Sequence, residues 1–488
     1  MQTPDFPSWS KSFHSHYRRL RQASGQTLHQ FETLFGDWIG HFRLAQSDEG
    51  PHSRQRLWPL RLVFWTFLWQ VAQAGTACRE AIRQAQCLCR LRALPVPPDE
   101  DSPYCQARGH IPLERLDEIQ RALLDGAETA IAAKDLWCQL RVKIVDASTL
   151  TLEDTPKNQK TYPQPRSQKP GCGFPILRLI GLFSLATGLF VTWATGTWNS
   201  HELILLQSLW DSLQPGEVLL GDRGFGVWAV LAQCSVRQIA GVFRVRGQRR
   251  SDWRRGKHLS KNQRLVQWAK PRKRPDYMDA QAWALLPEIL TLRLVRVLIT
   301  EPGCRTHKVT LVTTLLDCKK YPPEALAQLY RRRWDMELSL RHLKTTLQME
   351  HLSCKTPENV QRELEMHLLM HNLVRRLMFE AARKANEPLS RISFAGALAA
   401  SRRTSEAMLQ ARNERQRQQL IAELYCVLVQ DLLPHRPGRW EPRAVKRRPK
   451  PFPVLTRPRS RFREISHRNR YWANGPSKRK GPKYVRPN

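Results

Sequence analysis

The sequence predicts an α/β protein, and three observations support that prediction. Between residues 141 and 247, short apolar stretches with strand character alternate with segments of helical character. A segment without Gly or Pro runs from Ala325 to Glu350, and its many Leu, Arg and Met residues favour a helix. The regions 56–140 and 386–436 are also helical in pattern. With 488 residues, of which 41% are hydrophobic, the chain is long enough to form several domains with buried cores.

The predicted elements of residues 141–247 follow a β-ββ-α-β-α-β order. They are the strand Arg141–Val145, a hairpin at Ile176–Thr195, a helix near His201–Leu213, a strand before Asp222, a helix at Val227–Cys234 and a strand at Ile239–Val245. The run 176–195 is nearly as long as a membrane helix. Its internal Thr187-Gly188 turn and its β-branched and aromatic residues favour a buried hairpin instead. The order resembles the start of a ribonuclease-H-like, or retroviral-integrase-like, fold.

Changes in composition divide the chain further. We predict an N-terminal arm (1–55), a helical region that binds DNA (56–140), the first part of the core (141–247), a β-rich insertion (248–322), the second part of the core (323–385), a helical, basic region (386–436) and a basic disordered tail (437–488). In the second region, Gly75-Thr76 separates an apolar helix from a basic one. This pattern is compatible with a helix-turn-helix, although ordinary helical bundles share it.

The charge of the chain indicates a polyanionic partner. Lys and Arg outnumber Asp and Glu by 79 to 43, so that the formal net charge is +36. An anionic membrane surface is the second candidate partner. The tail alone contains 17 basic and 2 acidic residues among many prolines, which predicts disorder and contact with nucleic acid.

The cysteines and glycines argue against several cofactors. The eleven cysteines include no CxxC pair, so the sequence predicts no zinc site. Their odd number and the lack of a hydrophobic targeting segment predict reduced thiols in a cytoplasmic, nucleoid-associated protein. No Gly-rich loop precedes a helix, and we therefore expect no nucleotide cofactor.

One predicted helix carries an acid among cations. An α-helix turns by about 100° per residue, which places five residues in a narrow stripe along one side of this helix: Tyr330, Arg333, Glu337, Arg341 and Lys344. It borders an apolar stripe formed by Leu329, Met336, Leu340, Leu343 and Leu347. An acid at the edge of a core suits a site where carboxylates hold a hard cation and basic side chains hold phosphate. A surface helix with i,i+4 ion pairs is the alternative.

Two more acids follow predicted strands. Asp146 ends the apolar stretch Lys143-Ile-Val-Asp, where a charge is costly unless it is functional or paired. Asp222 follows a strand, and Gly221 and Gly224 allow tight backbone on both sides. Taken alone, each of these residues is more simply interpreted as a turn aspartate.

Taken together, the acids resemble a known family. The spacing Tyr-x2-Arg-x3-Glu-x6-Lys of residues 330–344 resembles the signature around the third catalytic acid of Asp-Asp-Glu (DDE) transposases from bacterial insertion sequences. In that family the first Asp ends strand one, the second follows strand four as Asp-x-Gly-Phe, and the Glu lies on a helix after an insertion. Asp146, Asp222-Arg-Gly-Phe225 and Glu337 match this order.

The resemblance, which covers residues 141–375, implies a site for phosphoryl transfer. Asp146, Asp222 and Glu337 would bind Mg²⁺, for which Mn²⁺ would substitute. Phosphate contacts are expected from Tyr330, Arg333, Arg341, Lys344, and Arg244 or Arg246. In the insertion, Trp268 or Trp253 is expected either to stack on an unpaired base or to pack in a core.

The predicted function is therefore Mg²⁺-dependent cleavage at transposon ends and strand transfer into target DNA. The expected partners are double-stranded terminal inverted repeats, target DNA and a second copy of the chain in the DNA complex. The alternatives are a transposase-derived DNA-binding protein that no longer cuts and a nuclease of the same fold without end specificity. A peripheral membrane protein is a more distant alternative.

Overall fold

The computed structural model describes residues 29–44, 58–246, 256–299 and 307–434, together with residues 253 and 461. The predicted tail, apart from residue 461, and the predicted arm, apart from residues 29–44, lie outside the described residues. Among the residues that are described, no helix is long and apolar enough to span a membrane.

The N-terminal region is helical, in agreement with the prediction. Its helices are α1 (Gln30–Ile39), α2 (Leu60–Ala72), α3 (Cys78–Leu91), α4 (Asp101–Gly109) and α5 (Leu113–Glu128). The helix α2 is apolar on most sides and is largely buried between its neighbours. The break before α3 includes Gly75, whose φ of 77° suits glycine.

The first part of the core is a mixed sheet. Its strands are β1 (Val142–Leu152), β2 (Ile176–Ser184), β3 (Phe190–Thr197), β4 (Val218–Gly221) and β5 (Ala240–Arg244). They lie in the order β3-β2-β1-β4-β5, in which β1, β4 and β5 are parallel and β2 is antiparallel to both of its neighbours. The connecting helices are α6 (Pro156–Thr161), α7 (Glu202–Leu206) and α8 (Trp228–Val236). The predicted hairpin is confirmed as β2 and β3.

The β-rich insertion extends this sheet. Its elements are β6 (Lys257–Ser260), β7 (Gln263–Ala269), the short helix α9 (Ala280–Ala284), β8 (Ile289–Ile299) and β9 (His307–Thr313). The strand β9 pairs antiparallel with β5, from Val242–Thr313 to Arg244–Leu311. With the two-residue strand β10 (His351–Leu352) beside β1, the described strands form a ten-stranded sheet. The strands of the insertion therefore continue the core sheet, because β9 pairs with the edge of β5.

The remaining helices cover one face of the sheet. They are α10 (Pro323–Arg331), α11 (Trp334–Arg341), α12 (Pro357–Ala385), α13 (Phe394–Met408) and α14 (Glu414–Gln430). Successive strand residues face opposite sides, so Ile144 packs in the core shared with α12 and Val145 packs in the core shared with α8. By the same alternation, Asp146 faces the side of α11 and α12.

A buried carboxyl group joins α12 to the sheet. Glu365 Oε1 accepts hydrogen bonds from Trp193 Nε1 and Gln361 Nε2, each at 2.9 Å. Burial raises the pKa of Glu365 to about 7 from an ordinary value of 4.5, and the two hydrogen bonds oppose this effect. The protonated form is therefore favoured in the folded state.

This group predicts a pH-dependent stability. Because the folded-state pKa is raised, the stabilisation is complete below about pH 4.5 and is lost as the pH rises through about 7. We expect the melting temperature of the protein to fall between pH 5 and pH 8. Glu365→Gln keeps an acceptor for Trp193 and should flatten this part of the profile, as measured by thermal denaturation. The exposed Glu423→Gln is the control, and an unchanged slope in Glu365→Gln would contradict the assignment.

Candidate active site

Two of the predicted acids lie at the same end of neighbouring parallel strands. The pairing of β1 with β4 ends at Val145 and Gly221, so Asp146 and Asp222 each come one residue after it. The sequence predicted that Asp146 ends its strand, and this prediction is wrong. The strand β1 continues to Leu152 because β2 and β10 pair with its second half.

A tight turn fixes Asp222. Its Oδ1 accepts a hydrogen bond of 2.7 Å from the backbone N–H of Gly224. Phe225 is buried in the core on the α8 side, which anchors the turn. At Gly226 an added Cβ would lie 2.4 Å from the carbonyl oxygen of Arg244, so this position needs glycine to bring the turn against β5.

The third acid lies on an interrupted helix. The sequence predicted one helix to about Glu350, whereas α10 and α11 are separated at Arg332 and Arg333, and a π-helical turn follows at His342–Thr346. The chain contains no Gly or Pro at these positions, and tertiary contacts therefore set the breaks. The predicted apolar stripe is confirmed, since all of its members are buried: Leu329, Met336, Leu340, Leu343 and Leu347. The side chain of Glu337 is 48% exposed.

Arg333 connects the strand acid to the helix acid. Its Nη2 lies 2.6 Å from Glu337 Oε1, and its Nη1 lies 3.7 Å from Asp146 Oδ2. The Arg333 side chain is only 13% exposed. A largely buried guanidinium between two carboxylates holds β1 and α11 together and partly neutralises the acids.

The pKa of Asp146 depends on both of the other acids. Burial and, to a smaller extent, the negative charges of Asp222 and Glu337 raise the pKa of Asp146 to about 6. A hydrogen bond of 2.9 Å from the Ala147 N–H and the charge of Arg333 oppose this shift. All three acids therefore lie within electrostatic range of one another.

A cleft of about 390 Å³ opens beside Asp146 and Glu337. Its lining residues are Asp146, Ala147, Glu337, Leu340, Arg341, Lys344, Thr345 and Glu350. Lys344 Nζ lies 3.9 Å from Glu350 Oε1, and Arg341 is exposed. The cleft thus combines carboxylates with cations, as expected for a site that binds a metal ion and phosphate.

The donor set fits a hard divalent cation, since three carboxylates supply the oxygen ligands that Mg²⁺ prefers. In the described part of the chain, however, no three His, Cys, Asp or Glu side chains are already close enough to hold a metal ion. Arg333 lies between Asp146 and Glu337 instead.

Comparisons with known proteins identify the family. The profile of the transposase DDE domain matches residues 137–373, which include all three acids. The chain is 27% identical over 323 residues to the transposase InsG for insertion sequence element IS4 of Escherichia coli (strain K12), which covers 65% of this chain and 70% of that protein. Residues 137–373 form a transposase DDE domain. Both matches support the predicted function, a DNA transposase.

The similarity to one solved transposase structure is low. The cryo-EM structure of the piggyBac transposase synaptic complex with hairpin DNA has a TM-score of 0.39 and 10% sequence identity. The match covers 85% of this chain and 87% of that chain.

The predicted phosphate-binding residues of the transposase occupy different surroundings. Tyr330 is buried beside Arg333, and burial raises its pKa, against the charges of Arg333 and Arg244. Arg244 is exposed near this tyrosine. Arg246 is also exposed, but it interacts with Tyr277 of the insertion. Of the two alternatives, Arg244 is thus the one that lies near Tyr330.

The suggested base-stacking role of Trp268 is at odds with its position. Trp268 is 8% exposed and belongs to the core of the insertion, where its carbonyl oxygen accepts a hydrogen bond from Trp228 Nε1. Trp253 is partly buried, and the guanidinium carbon of Arg296 lies 3.7 Å from its ring centroid. The alternation of β7 directs Trp268 inward, so the expectation of packing holds for this residue.

Sequence reasoning missed a buried cluster beneath α11. Arg375 Nη2 lies 3.0 Å from Ser339 Oγ and 3.3 Å from His342 Nδ1. Phe394 stacks on His342 at 4.6 Å and on His371 at 5.2 Å. An arginine within the apolar stretch of α12 was the available signal, but its partners come from distant parts of the chain.

Proposed function

We propose that this transposase cleaves DNA at transposon ends and joins them to target DNA with divalent cations, Mg²⁺ or Mn²⁺, bound by Asp146, Asp222 and Glu337. The observation that carries this proposal is the ion-pair bridge of Arg333, which ties Glu337 of α11 to Asp146 of β1, next to the turn that holds Asp222. Residues that are 191 positions apart in sequence thereby share one cleft.

Bound divalent ions would supply activation of the attacking hydroxyl and stabilisation of the leaving oxygen. The protein supplies the carboxylates and their orientation: the Ala147 N–H and the Gly224 N–H each hold one carboxylate oxygen in place. Arg333 can present its planar guanidinium to a phosphate, since guanidinium groups form bidentate contacts with oxyanions.

The DNA backbone would lie along the cations of the cleft. Arg341 and Lys344 line the cleft, and Arg244 is exposed near Tyr330. Outside the cleft, the exposed side of α3 presents Arg79, Arg83 and Arg90, which supports a DNA-binding role for region 56–140. Transposition requires the two transposon ends to be paired, and we therefore propose that the protein forms a homodimer on DNA. We also propose that it acts in the cytoplasm, near the nucleoid.

The strand arrangement supports a ribonuclease-H-like core. The order β3-β2-β1-β4-β5, with only β2 antiparallel to its partners β1 and β3 and with β1, β4 and β5 parallel, agrees with the fold that the sequence suggested. On this assignment, Asp146 and Asp222 occupy adjacent strands of the core, and α11 brings Glu337 across the same sheet face.

The proposal is tested by incubating the full-length protein with DNA that carries the element's terminal inverted repeats. We expect nicking at the ends and joining to target DNA with Mg²⁺ or Mn²⁺, but none with a chelator. Asp222→Asn should abolish nicking and retain DNA binding in a gel shift. The exposed Asp211→Asn is the matched control and should retain both activities.

Two outcomes would favour the alternatives. A protein that shifts end DNA but never nicks it under these conditions is a DNA-binding protein of transposase descent. A protein that cuts shuffled duplex as fast as inverted repeats is a nuclease without end specificity. Full cleavage by Asp222→Asn would show that the metal ligands are assigned wrongly.

A further inference from the structure

Two cysteine sulfurs contact a buried arginine where the N-terminal helices meet the core, and a third lies beside one of them. Arg108 of α4 is 6% exposed, and its guanidinium carbon lies 3.8 Å from the ring centroid of Phe67. Its Nη2 lies 3.1 Å from Cys354 Sγ, and its Nη1 lies 3.4 Å from Cys78 Sγ. None of these residues lines the cleft, and the proposed function does not use them.

The sulfur of Cys78 accepts hydrogen bonds from three donors. Arg108 Nη1 lies at 3.4 Å, Gln70 Nε2 at 3.6 Å and the thiol of Cys105 at 3.8 Å. Cys78 is also the first residue of α3, where unpaired backbone N–H groups favour a negative charge. These contacts stabilise a thiolate at Cys78.

The charged surroundings agree with this assignment. The hydrogen bond from Cys105 and the charge of Arg108 lower the pKa of Cys78 to about 6, while burial and the charge of Asp101 oppose the shift. On the other side of Arg108, burial and the negative charge of Glu363 raise the pKa of Cys354. Among the three thiols, Cys78 is therefore the nucleophile.

The partner thiol is accessible from solvent. Cys105 is exposed on α4, and its sulfur lies 3.8 Å from that of Cys78. A disulfide requires the two sulfurs to approach to about 2.05 Å, which is a movement of less than 2 Å. Side-chain rotation and small helix adjustments supply a movement of this size.

We propose that Cys78 and Cys105 form a peroxide-reactive dithiol that closes to a disulfide between α3 and α4. The Cys78 thiolate attacks one oxygen of hydrogen peroxide, the O–O bond breaks, and hydroxide leaves and is protonated to water. The sulfenic acid formed at Cys78 is then attacked by the Cys105 sulfur, which loses its proton as the S–O bond breaks and a second water leaves. The two thiols are oxidised by two electrons, and the peroxide is reduced to two water molecules.

The test uses the full-length, reduced protein without DNA. It is treated with equimolar hydrogen peroxide, alkylated and mapped by mass spectrometry. We expect a Cys78–Cys105 disulfide that a thiol reductant reverses, while the exposed Cys87 and Cys426 remain thiols. Cys105→Ser should stop the reaction at a sulfenic acid on Cys78, which dimedone traps, and Cys78→Ser should abolish both products.

The pH dependence of alkylation gives a test that needs no variant. The alkylation rate of Cys78 in the unmodified protein should fall only about twofold from pH 7 to pH 6, whereas an ordinary thiol slows about tenfold. The proposal is overturned if Cys78 slows as much as Cys87 and Cys426, or if peroxide forms no bond between Cys78 and Cys105. Loss of end cleavage by an active-site variant has no bearing on either result.

Discussion

Glu337→Gln is expected to lower cleavage of end DNA by at least about 10³-fold. The removal of a metal-binding carboxylate forfeits several kcal/mol of transition-state stabilisation, and each 1.4 kcal/mol corresponds to a factor of ten. Glu337 is half exposed and contributes nothing to the apolar core, so the fold should persist. The measurement is single-turnover cleavage of an inverted-repeat duplex in Mg²⁺, alongside end binding by gel shift.

The matched control is Glu324→Gln. Glu324 is an exposed acid in the first turn of α10 and does not line the cleft, so the same substitution there should leave the cleavage rate within about twofold. If Glu337→Gln cleaved at the unmodified rate, Glu337 would be limited to pairing with Arg333. If both variants lost activity together with their melting transitions, the effect would be one of stability.

Arg375→Met is expected to have the second-largest effect, a loss of about 10- to 100-fold in the cleavage rate. The Arg375 guanidinium bonds Ser339 in α11 and His342 in the π-helical turn, so it holds the helix between Glu337 and Lys344 from behind. Burial and the charge of Arg375 lower the pKa of His342 to about 3, which keeps its Nδ1 free to accept. A misplacement of about 1 Å at a catalytic group costs on the order of 10²-fold in rate.

The experiment must separate positioning from general destabilisation. Arg376→Met is the control, because the neighbouring Arg376 is also largely buried but pairs with Glu380 on its own helix and with the carbonyl of Leu123. At matched melting temperatures, Arg375→Met should need more Mg²⁺ for half-maximal cleavage, and Arg376→Met should not. Arg375→Lys should recover part of the rate. Equal Mg²⁺ requirements in the two Met variants would rule out a positioning role.

Short sequence patterns predicted those parts of the fold and of the site that depend on neighbouring residues in the chain. The hairpin of β2 and β3 follows from its Thr187-Gly188 turn, the burial of the Leu329–Leu347 stripe follows from helical periodicity, and the turn at Asp222 follows from its glycines. The order of the three acids was recognisable because each follows or lies on an element with a clear local signal. The matched transposase DDE domain, residues 137–373, contains all three acids.

Long-range contacts determine what the sequence did not predict. The continuation of β1 beyond Asp146 depends on β2 and β10, and the breaks around α11 depend on contacts such as Arg333 with Asp146 and Arg375 with His342. The inward direction of Trp268 depends on which face of β7 is covered. No sequence window contains both partners of these interactions, so neither periodicity nor composition could reveal them.

The pairing of β9 with β5 has a mechanical consequence for the insertion. A domain attached only by two peptide linkers could rotate relative to the core. The insertion is joined to the edge of the core sheet by backbone hydrogen bonds, so it must move together with strand β5. Any nucleic acid held by the far strands β6 to β8 would therefore keep a constant distance and angle to Asp222. In that case the length of the insertion would set the distance between the bound DNA and the proposed cleavage site.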